Sequence, residues 1–170
     1  FRRRALGAAR RARGARPSRG AALCPRLNMA AFTLTETDWA RDAAHLASIR
    51  RTVFIDEQGV PEALEWDEHD AAALHLLALA DDGTPIGCAR LLPDGHIGRM
   101  AVLPAWRRQG VGQALLAAVM DAAQARGHAT LRLSAQTHAA GFYARAGFVV
   151  VGDEYEEAGI PHVAMQRTLA

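Results

Sequence analysis

The chain has 170 residues, half of them hydrophobic and 22% charged, which suffices for one domain with a sizeable apolar core. Cys24 and Cys88 are the only cysteines, so the sequence excludes a disulfide framework and a CxxC metal site. No apolar run in it is long enough to predict a membrane span, and we expect a cytoplasmic protein without a membrane partner.

The formal net charge of +2 combines two segments of opposite charge. Residues 1–28 contain nine arginines and no acid, whereas residues 29–170 contain eleven arginines and eighteen acids, a net charge of −7. The first segment lacks hydrophobic periodicity, which predicts a disordered leader. We expect Met29 to be the native start and residues 29–170 to form the domain; a transit peptide or a nucleic-acid-binding arm are the alternatives. The acidic domain predicts no nucleic-acid partner, because it would repel a phosphate backbone.

Hydrophobic periodicity over the remaining chain predicts helices that alternate with strands only in its middle. Strands are predicted at 32–35, 74–80, 86–92, 130–135, 148–151 and 163–169, with a further strand ending at Leu103. Helices are predicted from the cap residue Asp38 through Val53, from Val111 up to Gly127, and from the cap residue Thr137 through Ala146. This order predicts an α/β fold with a mixed, mostly antiparallel central sheet of about six to seven strands, flanked by helices.

Two glycines stand where one predicted strand gives way to a helix. The strand ends at Pro104, which has no N–H for a sheet, and Gly110 and Gly112 precede the helix. The first amides of a helix have no partner within it, and glycine lets a ligand approach them closely. With the charges of Arg107 and Arg108, this pattern favours a phosphate or pyrophosphate site; a tight turn alone is the alternative. The missing Gly-Lys-Ser/Thr ending and the glycine spacing argue against a P-loop and a dinucleotide fold.

This strand, turn and helix resemble the acyl-CoA signature of the GNAT (Gcn-five-related) N-acetyltransferases, with Arg107, Gly110 and Gly112 in the matching positions. The order of elements over 32–169 is also similar to that of the GNAT family. The local sequence most resembles the ElaA-like group, in motifs that include Arg51-Thr-Val-Phe54, Glu65-Trp-Asp67, Gly98-Arg99-Met-Ala-Val102 and Gly159-Ile-Pro-His162.

The resemblance implies that acetyl-CoA is the cosubstrate and that its pantetheine arm lies between two splayed parallel strands. It implies transfer of an acetyl group to an amine of a small molecule or peptide, by direct attack in a ternary complex. A homodimer stays open as a further partner. The residues that this resemblance assigns to the cofactor are Met100, Ala101, Val102, Arg107, Arg108, Gln109, Gly110, Val111, Gly112, Gln113, Gln136, Phe142 and Tyr143.

The resemblance also places Tyr143 opposite the sulfur, as the acid that protonates the departing thiolate. GNAT enzymes often carry a glutamate base on the central strand, where this chain has Arg99. Glu65 and His162 are therefore our catalytic candidates beside Tyr143, and Asp67, His69, Asp70 and His75 are the alternatives. We expect the acidic residues of 62–70 to form an irregular loop that attracts the amine, with a solvated loop as the alternative.

We predict no metal site, because His69 and His75 lack a third ligand at suitable spacing. Two other functions remain open: an acyl-homoserine-lactone synthase, which shares a similar core, and a non-catalytic acyl-CoA-binding module.

Overall fold

The computed structural model describes residues 31–170, so the predicted leader and Met29 lie outside the described residues. Eight strands form a single sheet. The strands are β1 (Phe32–Thr37), β2 (Leu74–Ala80), β3 (Pro85–Leu91), β4 (His96–Val102), β5 (Thr130–Gln136), β6 (Val149–Val150), β7 (Tyr155–Glu157) and β8 (Ile160–Thr168). The α-helices are α1 (Trp39–Arg50), α2 (Glu62–Glu65), α3 (Val111–Ala125) and α4 (Ala140–Arg145). A π-helical segment, Arg51–Glu57, continues α1, and short 3₁₀ turns occupy Glu68–Ala71, Pro104–Trp106 and Thr137–Ala139.

The sheet has the order β1-β2-β3-β4-β5-β8-β6, and β7 pairs with β8. Only β4 and β5 pair in parallel, while the other neighbouring strands are antiparallel. The predicted mixed α/β architecture is therefore confirmed, with one strand more than expected. The additional strand is β7, which forms a hairpin with β8 where a loop was predicted. Ala158 and Gly159 connect them with φ values of 51° and 75°, the left-handed pair that a tight hairpin turn requires.

Local signals at the helix ends agree with the structure in two cases and fail in one. The Asp38 carboxylate accepts a hydrogen bond from the Arg41 amide at 3.0 Å and caps α1, as predicted. Gly127, with φ 80°, follows the last turn of α3, again as predicted. Thr137 begins a 3₁₀ turn instead of capping α4, and among the described residues no side chain caps either segment.

The two faces of the sheet bury separate apolar clusters. One lies under α3 and α4 and includes Leu115, Leu131 and Leu133, the latter two at the inward positions that alternation predicts. The other lies under α1 and contains Leu46 and Ile49. Helices cover both faces of the sheet, and β4 and β5 lie in its middle. An opening between these two strands is therefore a gap in the sheet itself.

Strands β4 and β5 separate after a short parallel pairing. Their register pairs are His96 with Arg132 and Ile97 with Leu133, and no further pair follows among the described residues. On the side that pairs with β3, β4 carries a bulge. The three residue steps from Gly98 to Ala101 on β4 face only two residue steps on β3. Arg99 lies in the bulge with φ 49°, a left-handed conformation that is unusual for a residue with a side chain. The bulge bends β4 away from β5 and opens a gap in the middle of the sheet.

Candidate functional site

The gap between β4 and β5 is the floor of a cleft of about 620 Å³. Its walls come from β4, the π-helical segment, the end of β5, α4 and the β7–β8 hairpin. The cleft brings together eight of the predicted site residues: Glu65, Met100, Ala101, Val102, Arg107, Gln136, Tyr143 and His162. The remaining predicted residues, from Arg108 to Gln113 and Phe142, lie outside the cleft lining, at the start of α3 and on α4.

The start of α3 exposes backbone donors. Its first hydrogen bond runs from the Ala114 amide to the Gly110 carbonyl at 3.0 Å, which leaves the three preceding amides outside the helical ladder. The turn before it is shaped by two left-handed residues, Arg108 at φ 61° and Gly110 at φ 85°. The Val111 side chain is buried, and the Gln109 side-chain amide donates to the Ala105 carbonyl at 2.8 Å. Val111 and Gln109 thus fix the turn, and the free amides of 111–113 can receive an anion.

The contacts around position 112 in the described residues do not require a glycine. A Cβ at this position would meet the Phe142 ring at 3.7 Å and Val102 at 3.8 Å, which are ordinary contacts. Glycine inside a helix costs about 1 kcal/mol relative to alanine. Close approach of a ligand to the backbone is a physical reason for glycine at this point.

Two polar bridges join the π-helical segment to the opposite side of the cleft. The Arg107 guanidinium donates to both carboxylate oxygens of Glu57 at 2.7 Å each, and its Nε donates to the Val102 carbonyl at 3.0 Å. The Gln136 amide donates to the Gln58 side-chain carbonyl at 2.8 Å. The Arg107 contact lowers the pKa of Glu57 and raises that of Arg107. Sequence reasoning missed the bridge to Glu57, because its partners are fifty residues apart and both look like surface charges.

Tyr143 lies at the cleft with its phenol in an apolar setting. The hydroxyl is 3.8 Å from the Met100 sulfur, and the ring makes edge contacts with Phe142 and Phe148. Burial raises the pKa of Tyr143 to about 12. The phenol is therefore protonated at neutral pH and can donate a proton or a hydrogen bond into the cleft.

His162 is fixed in one tautomer by its backbone neighbour. Its Nδ1 lies 2.7 Å from the Ile160 carbonyl, which can only accept, so Nδ1 carries the hydrogen and Nε2 has the lone pair. The ring stacks on Tyr155 with a centroid distance of 6.0 Å. A nearly buried imidazole held in this way can accept a proton at Nε2.

The acidic stretch forms a buried network rather than the solvated or amine-attracting loop that we expected. Arg50, itself 1% exposed, donates to a Glu65 carboxylate oxygen at 2.7 Å and to Asp70 at 2.7 Å. Arg90 donates to the same Asp70 oxygen at 2.8 Å and to Asp67 at 2.7 Å. The stretch also folds into α2 and a 3₁₀ turn. Carboxylates that receive hydrogen bonds from buried guanidinium groups can be removed from water, whereas unpaired carboxylates stay at the surface.

The network changes the ionisation of its members. Burial opposes the charge on Asp70, but Arg50 and Arg90 outweigh it and hold the pKa of Asp70 below its ordinary value. His75 Nε2 donates to the Asp70 backbone carbonyl at 2.9 Å, and burial lowers the pKa of His75. Glu65 has its Oε1 within 2.7 Å of Arg50 and 3.2 Å of Arg99. The role of Glu65 as a base stays a prediction. Its Oε1, which would accept the proton, already has two cationic neighbours.

Neither a group of metal-ligating side chains nor a helix long and apolar enough to cross a membrane occurs within residues 31–170. A cleft opened by diverging central strands, with a protonated phenol on its wall and free helix amides beside it, fits an α/β acyltransferase. The family model of the acetyltransferase (GNAT) domain matches residues 36–169. This chain belongs to that family.

The relatives agree with this assignment over most of their own length. The uncharacterized N-acetyltransferase YjcF of Bacillus subtilis is 36% identical over 123 residues, which cover 70% of this chain and 87% of that protein. Protein ElaA of Escherichia coli is 32% identical over 130 residues, covering 72% of this chain and 84% of ElaA. The crystal structure of an acyl-CoA N-acyltransferase from Pseudomonas aeruginosa superposes with a TM-score of 0.74 at 33% identity, covering 81% of this chain and all of that one.

Proposed function

We propose that this protein is an acetyl-CoA-dependent N-acetyltransferase that transfers the acetyl group directly to an amine in a ternary complex. The observation that carries the proposal is a cleft that contains the gap beside β4 and the phenol of Tyr143, with the free amides at the start of α3 next to its Val102 wall. Membership of the GNAT family supports the same reading.

Two parts of the cleft fit two parts of the cosubstrate. The amides of 111–113 would bind the pyrophosphate, with Arg107 and Arg108 nearby in the same turn. The open edge of β4 would pair with the pantetheine arm. The Leu103 amide donates to Ile86 on β3 at 2.9 Å, so strand alternation turns the preceding amide, that of Val102, towards the gap. An extended arm can add to such an edge as a further strand does.

The chemistry requires one proton to leave the amine and one to reach the sulfur. The neutral amine attacks the thioester carbon and forms the C–N bond, and Nε2 of His162 takes the proton that the nitrogen loses. The C–S bond then breaks, and the Tyr143 phenol gives its proton to the departing thiolate. Solvent restores both groups afterwards. A phenol with a pKa of about 12 stays protonated at neutral pH, so its proton is available when the C–S bond breaks.

The proposal is tested by measuring free thiol released from acetyl-CoA in the presence of amino acids, polyamines, aminoglycosides and short peptides. We expect thiol release that depends on one class of amine. Binding of acetyl-CoA without release for any amine would favour a non-catalytic binding module. Release only from an acylated carrier protein with S-adenosylmethionine, with a lactone as product, would favour a homoserine-lactone synthase.

The cradle is tested by Gly112→Glu, which places a carboxylate against the free amides. We expect this variant to lose measurable acetyl-CoA binding in calorimetric titration while its melting temperature stays near that of the wild type. The control is Gln124→Glu, which adds the same charge to an exposed position near the other end of α3. Equal affinities for all three proteins would refute the location of the pyrophosphate.

A further inference from the structure

Arg99 is the loosely held member of the buried network. Arg50 makes its three hydrogen bonds at 2.7 to 2.8 Å. Arg99 reaches the carbonyl of Glu65 and the carboxylate of Asp67 only at 3.1 to 3.3 Å, and a second carbonyl at 3.5 Å. All of these bonds use Nε or Nη2. Within residues 31–170, the two N–H groups of Nη1 have no acceptor, and the Arg99 side chain lines the cleft.

The backbone holds this side chain in place at a cost. Left-handed φ for a residue with a Cβ is unfavourable by about 1–2 kcal/mol, and Arg99 adopts φ 49° in the bulge of β4. Glycine would adopt this conformation without strain, so the bulge alone gives no reason for arginine. This strained residue lines the cleft one position before Met100, whose sulfur contacts the Tyr143 hydroxyl.

The carboxylates around Arg99 are each divided between two arginines. Burial lowers the pKa of Arg99, Glu65 opposes this shift, and the nearby cations Arg90 and Arg50 add to it. Glu65 and Asp67, its two carboxylate neighbours, are each shared with another arginine. The other carboxylates that line the cleft are Glu57, which is paired with Arg107, and Glu157, which receives a hydrogen bond from Ser134. The free N–H groups of Nη1 are therefore the part of the network that is open to an acceptor from outside the protein.

We propose that Arg99 binds a carboxylate of the acceptor, so that the acceptor class is an amine that carries a carboxylate, as an α-amino acid does. This inference rests on the proposed N-acetyltransferase function. A single guanidinium nitrogen with two free N–H groups suits one carboxylate. A phosphate carries nearly two charges and three acceptor oxygens, and is better served by several donors. Met100 packs near Tyr143 on one face of the sheet, and Arg99 lies beside the other face, which α1 covers. The acceptor therefore enters from the side of α1.

The test compares L-α-amino acids with their α-amides as acceptors, which differ only in the carboxylate. A charge-assisted hydrogen bond contributes about 1.5–3 kcal/mol, so the wild type should prefer the acid over the amide by about 10- to 150-fold in kcat/KM. In Arg99→Gln the KM for the acid should rise until the preference falls to near unity, with acetyl-CoA affinity unchanged. Arg99→Lys should keep part of the preference. No preference in the wild type, equal loss for acid and amide in Arg99→Gln, or a stronger preference for O-phosphoethanolamine would each overturn the proposal.

Two further measurements keep the result interpretable. Arg132→Gln removes an exposed arginine from the neighbouring strand, outside the cleft lining, and should leave the preference intact. Binding of N-acetyl-L-amino acids and of their amides, followed by NMR, requires no turnover. Selective binding of the acids to the wild type but not to Arg99→Gln would support the anion site even where every amine fails to release thiol, an outcome that refutes only the transferase function. Equal binding of acids and amides to the wild type would refute the anion site itself.

Discussion

The bridge between Glu57 and Arg107 makes a prediction about cofactor affinity. The terminal nitrogens of Arg107 each donate one N–H to the Glu57 carboxylate at 2.7 Å, so a phosphate that approaches the guanidinium competes with the charge of Glu57. Glu57→Gln keeps the size of the side chain and removes its charge. We therefore expect the substitution to release Arg107 and to tighten the binding of CoA.

The size of the effect follows from the exposure of the pair. The two side chains are 40% and 39% exposed, so water and salt screen their attraction. Exposed pairs contribute about 0.2–1 kcal/mol, and two parallel hydrogen bonds place this pair near the upper end. A gain of about 1 kcal/mol corresponds to roughly five-fold tighter binding. The gain should shrink as the salt concentration rises.

Calorimetric titration with CoA at low and high salt measures this change. The control is Glu36→Gln, which breaks an exposed pair with Arg126 at 3.0 Å between β1 and α3, far from the cleft lining. It should leave the affinity unaltered. Weaker CoA binding in Glu57→Gln would show that Glu57 orients Arg107 towards the phosphate rather than competing with it, and would refute the reasoning.

Two further predictions concern the acid and the network. Tyr143→Phe should lower kcat by about 10²-fold with little change in acetyl-CoA affinity; because the pKa of Tyr143 is about 12, the wild-type rate should show no loss from phenol ionisation near pH 10, and an unaltered kcat in the variant would make Tyr143 a packing residue. Asp70→Asn leaves Arg50 and Arg90 short of a buried carboxylate and should reduce the free energy of unfolding by about 3–5 kcal/mol in urea titration. Because the pKa of Asp70 is lowered in the folded protein, its contribution is present above the ordinary value and disappears as the pH falls through the folded value. The two proteins should therefore converge in stability in acid, and a constant difference would contradict the assignment.

The elements that sequence reasoning predicted well are those whose signals are local. Strand β2 has the predicted bounds 74–80, because an apolar run followed by an Asp-Gly turn is decided by neighbours in the chain. The start of α3 was predicted from Gly110, and this residue does adopt the left-handed φ of 85°. The strand β7 escaped prediction because its three residues are exposed and carry no apolar alternation.

The acidic stretch was misinterpreted because its partners are distant in sequence. The arginines that pair with Glu65, Asp67 and Asp70 are between 15 and 34 residues away. A run of carboxylates looks the same in a sequence whether it faces water or three guanidinium groups. Only the sheet brings β3, β4 and the end of α1 to one place, so the charges of this stretch could be balanced only after the topology was known.

The two ends of the cleft are stabilised by different interactions, and this difference bears on how its specificity is set. At the end where we propose that the cofactor binds, the donors would be backbone amides of α3, which no side-chain substitution can remove without breaking the helix. At the acceptor end, the donor that we propose is one side chain, Arg99. The tight hydrogen bonds of the network join Arg50 and Arg90 to the carboxylates, while those of Arg99 are longer. The stability of the network therefore depends mainly on Arg50 and Arg90, and Arg99 can be exchanged at a smaller cost in folding. Acceptor choice and cofactor binding can thus vary independently in this fold.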